Sequence, residues 1–225
     1  MLSSVANSFS GTHHRRTKIS LWRSFLKYPQ AVASVVPSSR FLLTELGDSP
    51  KLSQCQTVVE LGPGTGETTR TILDQMPADA RLLAIELVPE FVRVLRREIT
   101  DPRLVAVEAD ASDLHAILTI HNFPPPDIVI SGIPFSHLDH AGGDRLTRSI
   151  HDALVPGGEF ITYQFRSHVR RFAERLFGSA ETAFVPFNLP PLKVYRWTKA
   201  TVPGKVNRAS QQPSESNDVD SCLHS

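Results

Sequence analysis

The run Val58-Val59-Glu60-Leu61-Gly62-Pro63-Gly64-Thr65-Gly66-Glu67-Thr68 limits most strongly what this chain can fold into, because it leads an apolar strand into a helix start through three alternating glycines. Glycine lets a backbone turn sharply and approach a ligand closely where a side chain would obstruct it. Thr68, Thr69, Ile72 and Leu73 follow with helical spacing, and the first N–H groups of such a helix have no partner within it. Strand, glycine turn and helix in that order predict a parallel α/β unit with a ligand at the turn. A dinucleotide fingerprint would place its last glycine at position 67, where this chain has Glu. A nicotinamide dinucleotide is therefore the weaker reading.

The acidic residues that follow at strand ends narrow the ligand. Leu82-Leu83-Ala84-Ile85 reads as a buried strand ending at Glu86, about twenty residues after the loop, where such folds carry a ribose-binding carboxylate. The alternative for Glu86 is a surface residue capping the helix that starts near Pro89. Leu104-Val105-Ala106-Val107 forms a third strand, followed by Glu108-Ala109-Asp110-Ala111. The E-x-G-x-G-x-G arrangement after a strand resembles the first motif of class I S-adenosylmethionine-dependent methyltransferases. That resemblance implies S-adenosyl-L-methionine as cofactor, with Asp110 beside the adenine amine and Ala111 next to it.

Beyond residue 50 strands and helices alternate, which predicts a doubly wound, mostly parallel sheet. Strands are expected at 57–61, 82–86, 104–108, 127–131, 159–165, 182–187 and 192–198, and helices at 39–47, 67–75, 89–98, 111–118, 142–154 and 167–177. With 225 residues and a net charge of +1, the chain suits one α/β domain of ordinary core size. The resemblance implies a Rossmann-like, seven-stranded class I methyltransferase sheet whose last strand pair is antiparallel. Residues 41–200 are expected to form that domain and 201–225 a disordered polar tail. Cys55 and Cys222 are the only thiols, so neither a disulfide framework nor a zinc site is expected. No stretch approaches the roughly 20 apolar residues that span a bilayer.

Residues 1–40 differ in kind. Arg15, Arg16, Lys18, Arg23, Lys27 and Arg40 are basic, and no Asp or Glu precedes Glu45. Leu21, Trp22, Phe25 and Leu26 share one helical face, with Lys18, Arg23 and Lys27 around its edges. A basic amphipathic helix of this kind suits an anionic membrane surface. Two other readings stay open: packing of the same face on the domain core, or a transit peptide.

The acceptor motif is expected after the fourth strand, where the crevice of such a sheet opens. Pro126-Asp127-Ile128-Val129-Ile130-Ser131-Gly132-Ile133-Pro134-Phe135 fits that position. Amino-methyltransferases of adenine and cytosine are expected to carry an Asn, Asp or Ser two residues before the proline, holding the exocyclic amine, and an aromatic ring that stacks on the base. Gly132 offers no such acceptor unless Ser131 substitutes, so a different amine is indicated. From about Trp22 to Trp197 the chain resembles the soluble bacterial phospholipid N-methyltransferases, which methylate phosphatidylethanolamine and, in related members, ornithine lipids. Phe25-Leu26-Lys27-Tyr28-Pro29, Val36-Pro37-Ser38-Ser39-Arg40, the cofactor series from Glu60 to Asp110, Ser131-Gly132-Ile133-Pro134-Phe135 and Asn188-Leu189-Pro190-Pro191 carry that resemblance.

The resemblance implies a cytoplasmic enzyme, peripheral on the inner face of the membrane, that acts on an amine-bearing lipid and not on nucleic acid. An RNA adenine N-methyltransferase and a non-catalytic cofactor- or lipid-binding module are the competing readings. Its cofactor site would comprise Glu60, Gly62, Gly64, Gly66, Glu86, Asp110, Ala111 and Ser131. Methyl transfer is an in-line displacement, so an unprotonated amine must be held in line with the departing sulfur. A primary ammonium has a pKa near 10, so a base, a water chain or desolvation must remove its proton. Tyr163 and His137 are the foremost catalytic candidates, with His140 and Asp139 as further bases. Tyr163 and Phe165 would face one side of the fifth strand and could hold a methylated cation by cation–π attraction; the alternative is that both are core aromatics. His137 and His140 have surface-loop roles as their alternative.

Overall fold

The computed structural model describes residues 44–45, 49–187 and 191–201. The amino-terminal segment 1–40, the tail beyond 201, Asn188-Leu189-Pro190 and all of the helix expected at 39–47 except Thr44 and Glu45 lie outside the described residues.

Seven strands form one sheet in the order β3-β2-β1-β4-β5-β7-β6. They are β1 (Thr57–Leu61), β2 (Arg81–Glu86), β3 (Leu104–Glu108), β4 (Ile128–Ser131), β5 (Glu159–Gln164), β6 (Glu181–Val185) and β7 (Leu192–Thr198). The first five run parallel, and β7 is antiparallel to both β5 and β6. All five residues of β1 and all four of β4 are buried. That explains their unbroken apolar runs, since a parallel strand covered by helices on both faces has no solvent side to alternate toward. Asp127 was expected inside β4, yet it precedes the strand. Its carboxylate accepts the N–H groups of Gln56 (2.8 Å) and Thr57 (2.9 Å), tying the start of β1 to β4.

Helices cover both faces. On one lie α1 (Glu67–Gln75) and α2 (Pro89–Glu98), which insert Ile72, Leu73, Val92 and Leu95 against Val58, Leu82 and Ala84. On the other lie α3 (Leu114–Ile120), α4 (His140–Ala153) and α5 (Arg170–Phe177), packed on Val59, Leu83, Phe160 and Trp197. The boundaries of α1 and α2 are those the spacing predicts. The helix expected from 111 opens instead as a 3₁₀ turn, Ala111–Asp113, because the Asp110 side chain caps it by accepting the Ser112 N–H. The helix expected from 142 begins two residues earlier, because Asp139 caps it and accepts the Gly142 N–H at 2.6 Å. The segment expected at 167–177 likewise starts as a 3₁₀ turn, Ser167–Val169, before α5.

The contact between α4 and α5 depends on a glycine. A Cβ at Gly143 would lie 2.5–2.7 Å from the ring carbons of Phe172, a side chain only 1% exposed. Gly143→Ala removes a helix penalty of about 1 kcal/mol but forces this ring into a packed core, at about 1–3 kcal/mol. The overpacking wins, so the variant should lose about 1 kcal/mol of stability in a denaturant titration. An unchanged or raised midpoint would refute this packing.

Candidate active site

The carboxyl ends of β1, β2 and β4 meet at the point where the sheet order reverses. Helices leave β1 and β4 toward opposite faces there, which opens a crevice. The glycine loop lines it. Gly62, Gly64 and Gly66 have φ of +71°, +56° and +88°, values that L side chains rarely tolerate. Gly66 is doubly required, since a Cβ on it would meet Leu95 Cδ2 at 2.7 Å and Ile99 Cδ1 at 2.9 Å. The loop is pinned at both sides: Gly62 N–H donates to Ile85 O and Gly132 N–H to Leu61 O, each at 2.9 Å.

Three carboxyl groups stand at the carboxyl-end edge of β1, β2 and β3. Glu86 is buried rather than on the surface, and Val88, not Glu86, holds the N-cap position of α2. Its Oε2 accepts Gly64 N–H at 3.1 Å, and its Oε1 accepts the N–H groups of Leu87 (2.8 Å) and Val88 (2.9 Å). Burial raises its pKa, and those three bonds work against the rise. Glu60, 1% exposed, accepts the Thr69 hydroxyl on Oε2 at 2.6 Å, while its Oε1 has no hydrogen-bond partner. Burial lifts this carboxyl to a pKa of about 8; the Thr69 bond lowers it in part and the nearby Glu86 raises it again. Asp110 spends Oδ1 on the Ser112 N–H (3.0 Å) and hydroxyl (2.7 Å). Its Oδ2 makes no bond among the described residues. Ala111, beside it, is buried.

These residues fit S-adenosylmethionine, which carries an ammonium and a sulfonium. A buried carboxyl oxygen without a donor suits a ligand that brings positive charge. Glu60 would hold the cationic end, Glu86 the ribose, Asp110 the adenine amine, and the glycine loop the backbone approach. Ser131 is wholly buried; its hydroxyl accepts Ile133 N–H at 3.2 Å, and its carbonyl accepts the Thr162 hydroxyl at 2.8 Å. In this arrangement the Ser131 hydroxyl shapes the turn beside the crevice.

Tyr163 stands on the β5 side of the crevice, beside Thr68 and Gly132. Its phenol lies 3.4 Å from the Thr68 hydroxyl, at the start of α1. A Cβ built on Gly132 would stand 2.5 Å from the Tyr163 hydroxyl, 3.2 Å from its Cζ and 3.0 Å from Gly62 O. The phenol therefore occupies the place that a side chain at 132 would fill. Burial, reinforced by Glu60, pushes Tyr163 up to about 12, so near neutrality it is a neutral phenol and not a base.

The other proposed bases are placed differently. His137 is exposed at the end of the 3₁₀ turn Phe135–His137. His140 pairs with Asp144 at 3.1 Å and sets its ring edge-on to Phe172. Asp139 is engaged as a helix cap, so it is not a free base. Phe165 lies just beyond β5 and is 59% exposed, so it does not share the enclosed position of Tyr163. Phe135, the aromatic residue of the acceptor motif, is fully buried between Phe160 and Phe172, with ring centroids 6.3 and 6.2 Å away.

Sequence reasoning missed Gln164. It is buried, accepts Phe135 N–H at 3.1 Å, and donates to Ile133 O (2.8 Å) and the Thr162 hydroxyl (2.9 Å). It thereby straps the loop after β4 to β5. The available signal was the polar pair Thr162 and Gln164 at alternate positions of the strand, following the apolar Phe160 and Ile161.

Residues 58–158 match the Methyltransf_25 family, a methyltransferase domain. The chain is 34% identical over 173 residues to the ornithine lipid N-methyltransferase of Singulisphaera acidiphila, a match covering 76% of this chain and 90% of that protein. It is 29% identical over 157 residues to ribosomal RNA small subunit methyltransferase A of Synechococcus sp., covering 68% of this chain but 48% of the relative. Among solved structures, the N-methyltransferase NodS from Bradyrhizobium japonicum WM9 superposes with a TM-score of 0.58 at 14% identity, covering 73% of this chain and 98% of NodS. Its complex with S-adenosyl-L-homocysteine gives 0.56 at 15% identity, over 72% and 88% of the two chains. At those identities the likeness concerns the fold.

Glu60 supplies a test independent of turnover. Its carboxyl keeps its proton in the fold up to about pH 8, whereas the unfolded chain releases it above 4.5. The stabilising contribution is therefore full at low pH and lost as pH rises between those values. Glu60→Gln should remove this slope, making the cofactor-free protein more stable than the parent by a few kcal/mol above about pH 8 in thermal unfolding. The same variant should bind S-adenosylhomocysteine about tenfold or more weakly by calorimetry. Parallel pH–stability curves for the two proteins would contradict the assignment.

Proposed function

Because the chain belongs to the class I S-adenosylmethionine-dependent methyltransferases, we propose that its acceptor is the primary amine of a membrane lipid headgroup. The observation that carries this reading is the pairing of Gly132 with the Tyr163 hydroxyl. A base-methylating site needs an acceptor side chain at 132 and an aromatic face for the base. Here that space holds a phenol, and the motif's ring, Phe135, is enclosed in the core. A small aliphatic amine needs neither device. The ornithine lipid relative, matched over most of its length, makes ornithine lipid the first substrate to test, with phosphatidylethanolamine beside it.

S-adenosylmethionine, when bound, supplies an electrophilic sulfonium methyl group. The remaining work falls to the chain. Tyr163, neutral at working pH, accepts an N–H of the amine on its oxygen and aims the nitrogen lone pair across the crevice. Withdrawal from water lowers the ammonium pKa, and the exposed His137 passes the released proton to solvent. The amphipathic segment within residues 1–40 would hold the protein on an anionic cytoplasmic leaflet. The ribosomal RNA relatives support a second reading, adenine N-methylation in RNA, although the chain spans about half the length of the one from Synechococcus.

Incubating the protein with methyl-labelled cofactor and either total lipid or total RNA separates these readings. Label should appear in lipid; label in RNA alone would discard the lipid acceptor, and label in neither favours a binding module. Tyr163→Phe should lower kcat about tenfold, the worth of one oriented hydrogen bond. Gly132→Ser should displace the phenol and lower kcat by about a hundredfold. If both variants keep parental kcat on the methylated acceptor, Tyr163 does not position it.

A further inference from the structure

Four large apolar side chains among the described residues are exposed, and three of them gather at one edge: Phe165 (59%), Phe184 (62%) and Phe187 (73%). Gln164 of β5 and Phe184 of β6 both pair with Lys193 of the intervening β7. Phe165 follows Gln164 directly, and Phe187 lies two residues past the end of β6. Because β6 runs parallel to β5, all three rings stand at the sheet edge that carries the carboxyl ends of β1 and β4. That is the edge of the glycine loop and Tyr163.

The chain segments that carry these rings are one-sided in charge. Residues 160–173 and 182–195 contain no Asp or Glu but include Arg166, Arg170, Arg171 and Lys193. Arg170 is paired with Glu174, and Arg171 lies over the Phe172 ring. Arg166 and Lys193 are exposed and make no ion pair among the described residues. Exposed apolar rings flanked by unpaired cations suit the boundary of an anionic bilayer, where rings enter the acyl region and cations meet headgroups. Exposed rings beside cations also stack on unpaired nucleic-acid bases, so single-stranded RNA is the competing occupant that the test includes.

We propose that Phe165, Phe184 and Phe187, with Arg166 and Lys193, form an interfacial rim that seats the catalytic edge on an anionic membrane. This rests on the lipid reading and deepens it: a headgroup amine would reach Tyr163 from a bilayer pressed against the residues that directly follow β5, without the lipid leaving the membrane. The rim is made of residues other than the amino-terminal segment: that segment would tether the protein, whereas the rim orients it.

The full-length protein is tested on phosphatidylcholine vesicles with and without phosphatidylglycerol. Phe184→Ser/Phe187→Ser should weaken sedimentation with the anionic vesicles about tenfold or more, through lost apolar insertion. Arg166→Gln/Lys193→Gln should flatten the dependence of binding on phosphatidylglycerol. Methylation of detergent-dispersed ornithine lipid by the serine variant should stay within about twofold of the parent, because neither ring belongs to the site. As a readout that tethering cannot mask, Phe187→Trp in a Trp22→Phe background should add indole emission that blue-shifts on anionic vesicles and is quenched by brominated lipid, beyond what Trp197 alone gives in the same background. Unchanged sedimentation together with no quenching overturns the rim. So does an indole response to single-stranded RNA with displacement from vesicles. Rim-dependent vesicle binding without methylation of any lipid amine would instead support the rim while overturning the lipid acceptor.

Discussion

Glu60 sits at the end of a strand that no water reaches, and its half-satisfied carboxyl organises the crevice above it. One oxygen is held by Thr69 in the first turn of α1, and the other has no donor. A carboxyl in this position is tolerable in two ways: as a protonated acid, or as an anion beside a bound cation. The surrounding structure keeps both options open. β1 is buried on both faces, the glycine loop leaves it in a left-handed conformation, and Glu86 fastens that loop from β2 through the Gly64 N–H. Under the assignment made above, cofactor recognition and the expected pH dependence of folding trace to one buried group.

The acceptor half is built from substitution and support. Gly132 removes a side chain, and the Tyr163 phenol enters the vacated space from the neighbouring strand. Gln164, one residue on, faces the opposite side of the sheet and ties down the Ile133–Phe135 backbone. Successive residues of β5 thereby serve the two sides of the same loop, one presenting a hydroxyl and the other fixing what it faces. Phe135 loses any recognition role because that fixed loop drives its ring into the aromatic core with Phe160 and Phe172.

Much of this was legible before the fold was known. β1, β3 and β7, with α1 and α2, occupy the residues that pattern and punctuation indicate, because apolar runs and helical spacing are local properties. The glycine loop and Glu86 were legible because their spacing follows from one βαβ unit. The departures have specific causes. Asp139 reads as a base when considered for its chemistry, but an Asp three residues before an otherwise free N–H is a helix cap. Asp110 caps a 3₁₀ turn for the same reason. Tyr163 and Phe165 share a strand parity, yet β5 ends between them, and the alternation that would have aligned them stops.

By itself the sequence determined the α/β wind, the cofactor class and the lack of a side chain at 132, since each depends on residue types at short, fixed spacing. Only the tertiary structure decided what fills the space above Gly132, which carboxyl is left without a donor, and that three phenylalanines from two separated segments are exposed at one edge. Those facts depend on strands distant in sequence becoming neighbours through backbone pairing. The pairing of β5 with β7 and of β7 with β6 fixes contacts that no local spacing records.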